Sequence, residues 1–285
     1  MKTLARRILQ FPVTRIVIAF LAVVIATILV QFGMTWLGQP LGIGTAGWYE
    51  VLSSVLVVVV VYVVYRLYVR VIEKRAATEL DMRGALQELG AGILFGAVLF
   101  TIVIGGLWLL GVYRVLGWNA ALDLAPILAA SIFAGFVEEV LFRGILFRIV
   151  QESLGTWLAL AISGLFFGFA HAANPGATLF SSVAIALEAG LLLGAAYMLT
   201  QRLWFAVGIH FAWNMTQGGV FGVAISGNSV QGLLSSELVG PELVSGGAFG
   251  AEASVVALVV CLGAFGLLYW QAQKRGHIVL PFWVR

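Results

Sequence analysis

The stretch FVEEVLFRGIL, residues 136–146, places Glu138, Glu139 and Arg143 inside a run that is otherwise apolar enough to cross a bilayer. An ionisable side chain at the centre of a membrane helix costs about 2.5–3.5 kcal/mol on insertion scales, so such a group marks a functional site unless shown otherwise. On a helix, Glu139 and Arg143 are four residues apart, share a face and can pair, which lets both charges sit in a low dielectric. Glu138 lies about 100° around the helix from Glu139 and is free to face a different neighbour.

The rest of the chain fits a membrane setting. Of 285 residues, 61% are hydrophobic and 10% charged, against about 25% charged in a soluble domain. That excludes a water-soluble globular protein. Nothing in the composition divides the chain, so residues 1–285 read as a single membrane-embedded domain. The net charge of +3 does not call for nucleic acid, because the positive residues gather in loops beside apolar spans, where topology explains them. The expected partner is membrane lipid. The single cysteine, Cys261, rules out an intramolecular disulfide and reads as a small buried hydrophobe.

Continuous apolar runs of about 20 residues indicate helices rather than barrel strands. Eight are expected, at 16–37, 48–70, 91–113, 125–149, 155–173, 178–199, 203–222 and 252–271. The fold class is therefore all-α and polytopic, with about eight transmembrane helices around a buried polar pocket. The first run is basic and then apolar, but too long for a signal-peptide core, so it is expected as an uncleaved span. Lys2, Arg6, Arg7 and Arg15 precede span one, and Arg70, Lys74, Arg75 and Arg83 lie between spans two and three. Arg148, Arg202, Lys274, Arg275 and Arg285 fall on the same side, and the opposite loops hold only Arg114. The positive-inside rule then puts both termini in the cytoplasm. Compactness and the lack of targeting tails fit the plasma membrane of a prokaryote. Residues 74–89 are expected to form an amphipathic surface helix. The Gly/Ser-rich loop 223–251 is long enough to fold over the membrane face or to be mobile.

Few polar residues fall inside the spans. Span five ends at His171, span six carries Glu188, and span seven carries His210 and Asn214, four apart on one face. At about 1.5 Å per residue, Glu138, His171, His210 and Asn214 reach depths that let them meet in one pocket. That set suits amide hydrolysis. A buried carboxylate takes a proton from water, one histidine shares that water, and a second histidine with an amide donates to a developing oxyanion. Glu188 fits no such pattern and reads as a structural or pocket-lining acid. Gly164-x-x-x-Gly168 and Gly190-x-x-x-Gly194 read as close helix contacts.

Glu138-Glu139-x-x-x-Arg143, Phe167-x-x-x-His171 and His210-x-x-x-Asn214 resemble, in order, spacing and placement, the three motifs of the CAAX-protease and bacteriocin-processing (CPBP, or Abi) intramembrane protease family. The approach TQRLWFAVGIHFAWN, residues 200–214, adds to the likeness. It covers roughly residues 120–220, the expected catalytic core. The resemblance implies a glutamate-dependent endopeptidase acting on membrane-associated proteins or peptides, with prenylated CAAX proteins the best-known substrate class. By this likeness, Glu138 is the general base and His171 positions the water. His210 and Asn214 form the oxyanion site, while Glu139 and Arg143 support it. No cofactor is expected. The alternative is zinc, for which His171, His210 and Glu138 could supply ligands, although no H-E-x-x-H helix is present. Two other classes stay open: a non-enzymatic immunity or scaffold protein that keeps these residues for packing, and a transporter relaying protons through buried acids. The gathering of the acids in one place and the lack of an inverted repeat speak against the transporter.

Overall fold

The computed structural model describes residues 2–120 and 122–284; Arg285, counted above among the charges, lies outside the described residues. A short helix α1 (Lys2–Gln10) is followed by α2 (Pro12–Gly38), α3 (Gly47–Glu73), α4 (Ala85–Leu109) and α5 (Ala125–Leu154). Then come α6 (Thr156–Ala170), α7 (Leu179–Thr200), α8 (Trp204–Asn214), which a π-helical turn over Met215–Val220 prolongs, and α9 (Val255–Lys274). Among the described residues, six of these helices are long and apolar enough to cross a membrane: α2, α3, α4, α5, α7 and α9. The expected spans 155–173 and 203–222 correspond to α6 and α8. Both are apolar helices that fall short of that length, so the count of eight full spans is corrected to six plus two shorter helices.

Burial sorts the helices. In the most apolar window of α7, 67% of residues are buried, and in α5 50%, against 17% in α2. Helices α5 and α7 therefore form the inside of the bundle. Helix α2 touches it through one stripe, Ala19, Val23, Thr27, Met34 and Gly38, and turns Ile25, Leu29 and Phe32 outward. That outward face is where lipid tails would lie.

Small residues let the helices approach. Helices α4 and α8 cross through Gly92, Gly96 and Gly208, where an added Cβ would run into the backbone of the facing helix. Helices α6 and α7 meet as the glycine spacing suggested, with a Cβ on Gly190 reaching 2.7 Å from Gly164 Cα. Gly194 instead packs on the side chain of Leu160.

Two sequence expectations change. Residues 74–84 are not an amphipathic helix. Lys74 adopts a left-handed conformation that stops α3, a single 3₁₀ turn spans Thr78–Leu80, and α4 begins only at Ala85. Ion pairs take the place of helical hydrogen bonds here. Arg75 binds Glu73 and Glu79, each at 2.7 Å. Arg148 binds Glu73 at 2.8 Å, and Arg15 binds Glu73 at 2.8 Å and Glu152 at 2.9 Å. The fold is also not purely helical. Strands β1 (Tyr113–Trp118) and β2 (Leu234–Leu238) form an antiparallel pair with Arg114 opposite Glu237. Beyond β2 the long loop packs inward, burying Phe249, Ala251 and Ala253. Gly250 permits this with a positive φ of 124° at a point where a side chain would strike Ala224 O. The loop thereby carries Ser226 and Glu252 to the centre of the bundle.

Candidate active site

The first motif lies on distorted helix. Ala134–Glu138 and Val140–Phe147 are π-helical, a form that appears mainly as local bulges and is frequent at functional sites. Glu139 and Arg143 are both fully buried, and Arg143 Nη1 donates to Glu139 Oε1 at 2.9 Å. Arg143 Nη2 donates to the carbonyls of Ala189 at 2.9 Å and Gly190 at 3.2 Å. These carbonyls belong to another π-helical turn, Ala186–Gly190 on α7. The guanidinium also lies 4.5 Å from the centre of the Phe167 ring, a desolvated cation–π contact. Phe167 in turn touches the rings of His171 and His210. The spacing Phe-x-x-x-His thus places one aromatic wedge among the arginine and both histidines.

Hydrogen bonding orients each imidazole. His210 Nδ1 stands 2.9 Å from Glu139 Oε1, which already accepts from Arg143. The network assigns the proton of that bond to His210 Nδ1. Nε2 is left facing Glu138, 3.9 Å from its Oε2. That gap is too long for a direct hydrogen bond and suits a bridging water. His171 Nδ1 lies 2.8 Å from the carbonyl oxygen of Phe167. A carbonyl only accepts, so Nδ1 carries the hydrogen, and Nε2 of the neutral ring is an acceptor.

Glu138, His171, His210 and Asn214 line one groove of about 870 Å³. Its outer walls come from α2 and α3, at Gln31, Thr35, Glu50 and Ser53, and from the start of α5. The structure therefore brings together all four residues expected to meet, with Glu139 and Arg143 behind them. Behind the groove lies a cavity of about 50 Å³, which shares His171, His210, Asn214 and Ser226 with it and adds Glu188 and Glu252.

Glu188 thus lines this cavity. Glu252 escaped the sequence reading. Its signal was a lone acid at the edge of the eighth apolar run, and only the inward fold of the preceding loop gives it meaning. Its Oε1 accepts from the backbone N–H and the hydroxyl of Ser226. Burial nevertheless pushes its pKa up to about 8.

Among the described residues no group of three or more His, Cys, Asp or Glu side chains is arranged to hold a metal ion. The described donors are not arranged as a zinc site.

At the Arg-rich end, the site helix is fixed to its neighbours. Tyr65 donates to Gly144 O at 2.8 Å, and Arg148 Nε donates to the same carbonyl at 2.8 Å. The same Tyr65 hydroxyl, with one proton to give, is shared with Glu79. Burial works against ionisation of Glu79, but its bonds to Arg75 and the charge of Arg148 hold it below the usual carboxylate range.

Residues 118–216 match the family described as Type II CAAX prenyl endopeptidase Rce1-like. A protein of Bacillus subtilis (strain 168) named "Putative membrane peptidase YdiL" is 26% identical over 253 residues, covering 83% of this chain and 96% of that protein. No solved structure matches the chain. The likeness to the CPBP family read from the three motifs is borne out by both matches. Both support a peptidase integral to the membrane.

Proposed function

From the Rce1-like character of residues 118–216, we propose that this chain is an intramembrane endopeptidase that hydrolyses peptide bonds of membrane-associated proteins by means of a water activated by Glu138. The observation that carries this is the 3.9 Å separation of Glu138 Oε2 and His210 Nε2 across an open groove. A water entering there meets Glu138 beside a His210 ring held in place by Glu139 and Arg143.

In the proposed step Glu138 takes one water proton while His171, through Nε2, accepts a hydrogen bond from the same water. The hydroxide attacks the scissile carbonyl. The oxyanion that forms lies against the Asn214 amide, and against His210 when its Nε2 bears a hydrogen. The proton on Glu138 then passes to the leaving amine as the C–N bond breaks. Glu139 and Arg143 position His210 and do not touch substrate. Both termini are proposed as cytoplasmic from the distribution of Arg and Lys, and the membrane as the plasma membrane of a prokaryote because the peptidase-like relative is bacterial. Prenylated CAAX proteins are the substrate class implied by the family, while the groove residues themselves specify only a peptide.

The test compares protein termini in membranes containing wild type or Glu138→Gln at matched abundance. New termini that need the wild-type glutamate are expected. Identical termini, with the variant still complementing a deletion, would refute proteolysis.

A further inference from the structure

Glu188 and Glu252 are 1% and 3% exposed and face the same small cavity from α7 and from the loop before α9. Each keeps one carboxylate oxygen, Oε2, buried and without a hydrogen-bond partner. Native structures leave few buried polar atoms unsatisfied, and each such atom calls for an explanation. Two acids facing one void, with no arginine or lysine lining it, are placed to receive a cation. The remaining wall is largely apolar, including Phe167, Ile185, Leu192, Ile209 and Trp213. Apolar walls ending in carboxylates suit an aliphatic stem with a charged head. The volume of about 50 Å³ holds roughly four water-sized centres at 10–15 Å³ each, which is the scale of a lysine side chain beyond its Cβ. The entrance is formed by His171, His210 and Asn214, the residues placed around the scissile bond.

We propose that this cavity is a specificity pocket, in which Glu188 and Glu252 bind the alkylammonium side chain of a substrate residue flanking the scissile bond. The proposal rests on the peptidase function given above and narrows it to peptides bearing lysine beside the cut. A cation arriving there supplies both free oxygens with donors and lets Glu252 ionise, which burial alone opposes.

Cys261, the chain's single cysteine, lines the same cavity and reports on it without any need for proteolysis. Purified protein in detergent is treated with 2-aminoethyl methanethiosulfonate or with its neutral near-isostere, the n-propyl reagent. In each case the Cys261 thiolate attacks the sulfenyl sulfur, a disulfide forms and methanesulfinate leaves. The rate ratio of cationic to neutral reagent is measured for wild type, Glu188→Gln and Glu252→Gln, each shown by its melting curve to be folded. A charge-assisted hydrogen bond is worth about 1.5–3 kcal/mol, so the ratio should fall ~10-fold or more in each variant. A ratio unchanged by both substitutions, or failure of the cationic reagent to reach Cys261, overturns the proposal.

In parallel, liposomes carrying wild type are given peptides with lysine, norleucine or glutamate at the residues flanking the cut. Preferential cleavage at lysine, lost in Glu188→Gln, is the expected result. Cleavage without that preference refutes the pocket and leaves the peptidase standing. A charge-dependent Cys261 ratio with no cleavage of any peptide refutes the peptidase and leaves a cation-binding cavity.

Discussion

Replacing Arg143 with methionine isolates what this buried charge does. Arg143 and Glu139 are both fully buried, and among the described residues Glu139 pairs with no other arginine or lysine, its second partner being His210. The variant keeps an unbranched side chain but leaves the carboxylate only its bond from His210, unpairs the carbonyls of Ala189 and Gly190, and removes the cation from the face of Phe167. Two magnitudes compete. Polar contacts between membrane helices average about 0.6 kcal/mol in double-mutant cycles, because the unfolded chain in the membrane finds other partners. Leaving one member of a buried ion pair uncompensated costs about 3–5 kcal/mol. Glu139 and Arg143 lie on the same helix, but only the folded bundle shuts both away from water, so a carboxylate left without its arginine is penalised chiefly in the folded state. The larger figure therefore applies to the folded variant. Unfolding in mixed micelles should show Arg143→Met destabilised by about 3–5 kcal/mol. Adding Glu139→Gln removes the stranded charge and should recover at least ~2 kcal/mol of that loss. A single-variant cost below ~1 kcal/mol, or no recovery in the double variant, would refute an uncompensated charge as the cause.

Other expectations follow from the same geometry. Glu138→Gln should abolish cleavage while shifting the melting temperature little, since Glu138 is a quarter exposed and Oε2 makes no hydrogen bond; an active variant would remove it from the base role. Asn214→Ala should lower kcat by ~10²–10³, the usual loss for one oxyanion donor, and a change confined to KM would assign Asn214 to substrate binding instead. Gly208→Val should separate α8 from α4, because its Cβ has no space against Leu89 O and Ile93 N; the readout is a loss of folded protein, and normal yield and melting would contradict the close crossing. Glu252 has its pKa raised from 4.5 to about 8, so the folded state holds a proton that the unfolded chain releases. Its burden on stability is absent below pH 4.5, grows as pH rises, and levels off above about 8. The groups facing it are Glu188, Ser226, His171, His210 and Cys261. Glu252→Gln should therefore gain stability relative to wild type between pH 5 and 8, and parallel melting profiles would count against the shift.

The parts of the site that a sequence shows are those written in helical spacing. Four residues separate Glu139 from Arg143, Phe167 from His171, and His210 from Asn214, and in each case helical geometry predicts a shared face. The pairing of Glu139 with Arg143 and the meeting of both histidines with Glu138 and Asn214 were legible on that basis. Their fine structure was not. That Glu139 also holds His210 Nδ1 depends on how α8 leans on α5 at Gly135, where an added Cβ would meet Phe211, and on how it crosses α4 at Gly92, Gly96 and Gly208. None of these glycines had been singled out. Glu252 was hidden for a related reason. Between Gly222 and Gly250 the chain reverses several times through positive φ, and period counting carries no information across such turns. The connector at 74–84 looked helical by composition, but its charges are used across helices, joining Arg15, Glu73, Glu79 and Arg148, rather than along one face.

The π-helical turns connect these observations. Besides the turn Val69–Glu73 that ends α3, they occur at the first motif on α5, around Glu188 on α7, and directly after Asn214 on α8. A π turn loosens the i→i−4 ladder and leaves carbonyls for other donors. Arg143 takes two of them, Ala189 O and Gly190 O. In hydrocarbon a loosened helix is tolerated only where protein satisfies the freed groups, and the buried arginine does so. The same guanidinium holds Glu139, which holds His210, which faces Glu138. One buried cation therefore serves both the fold of α7 and the aim of His210. This accounts for a charge at the bottom of a membrane protein more fully than ion pairing alone. It also separates two ways of losing activity: substitutions at Arg143 or Glu139 should lower stability and activity together, whereas those at Glu138 should lower activity alone.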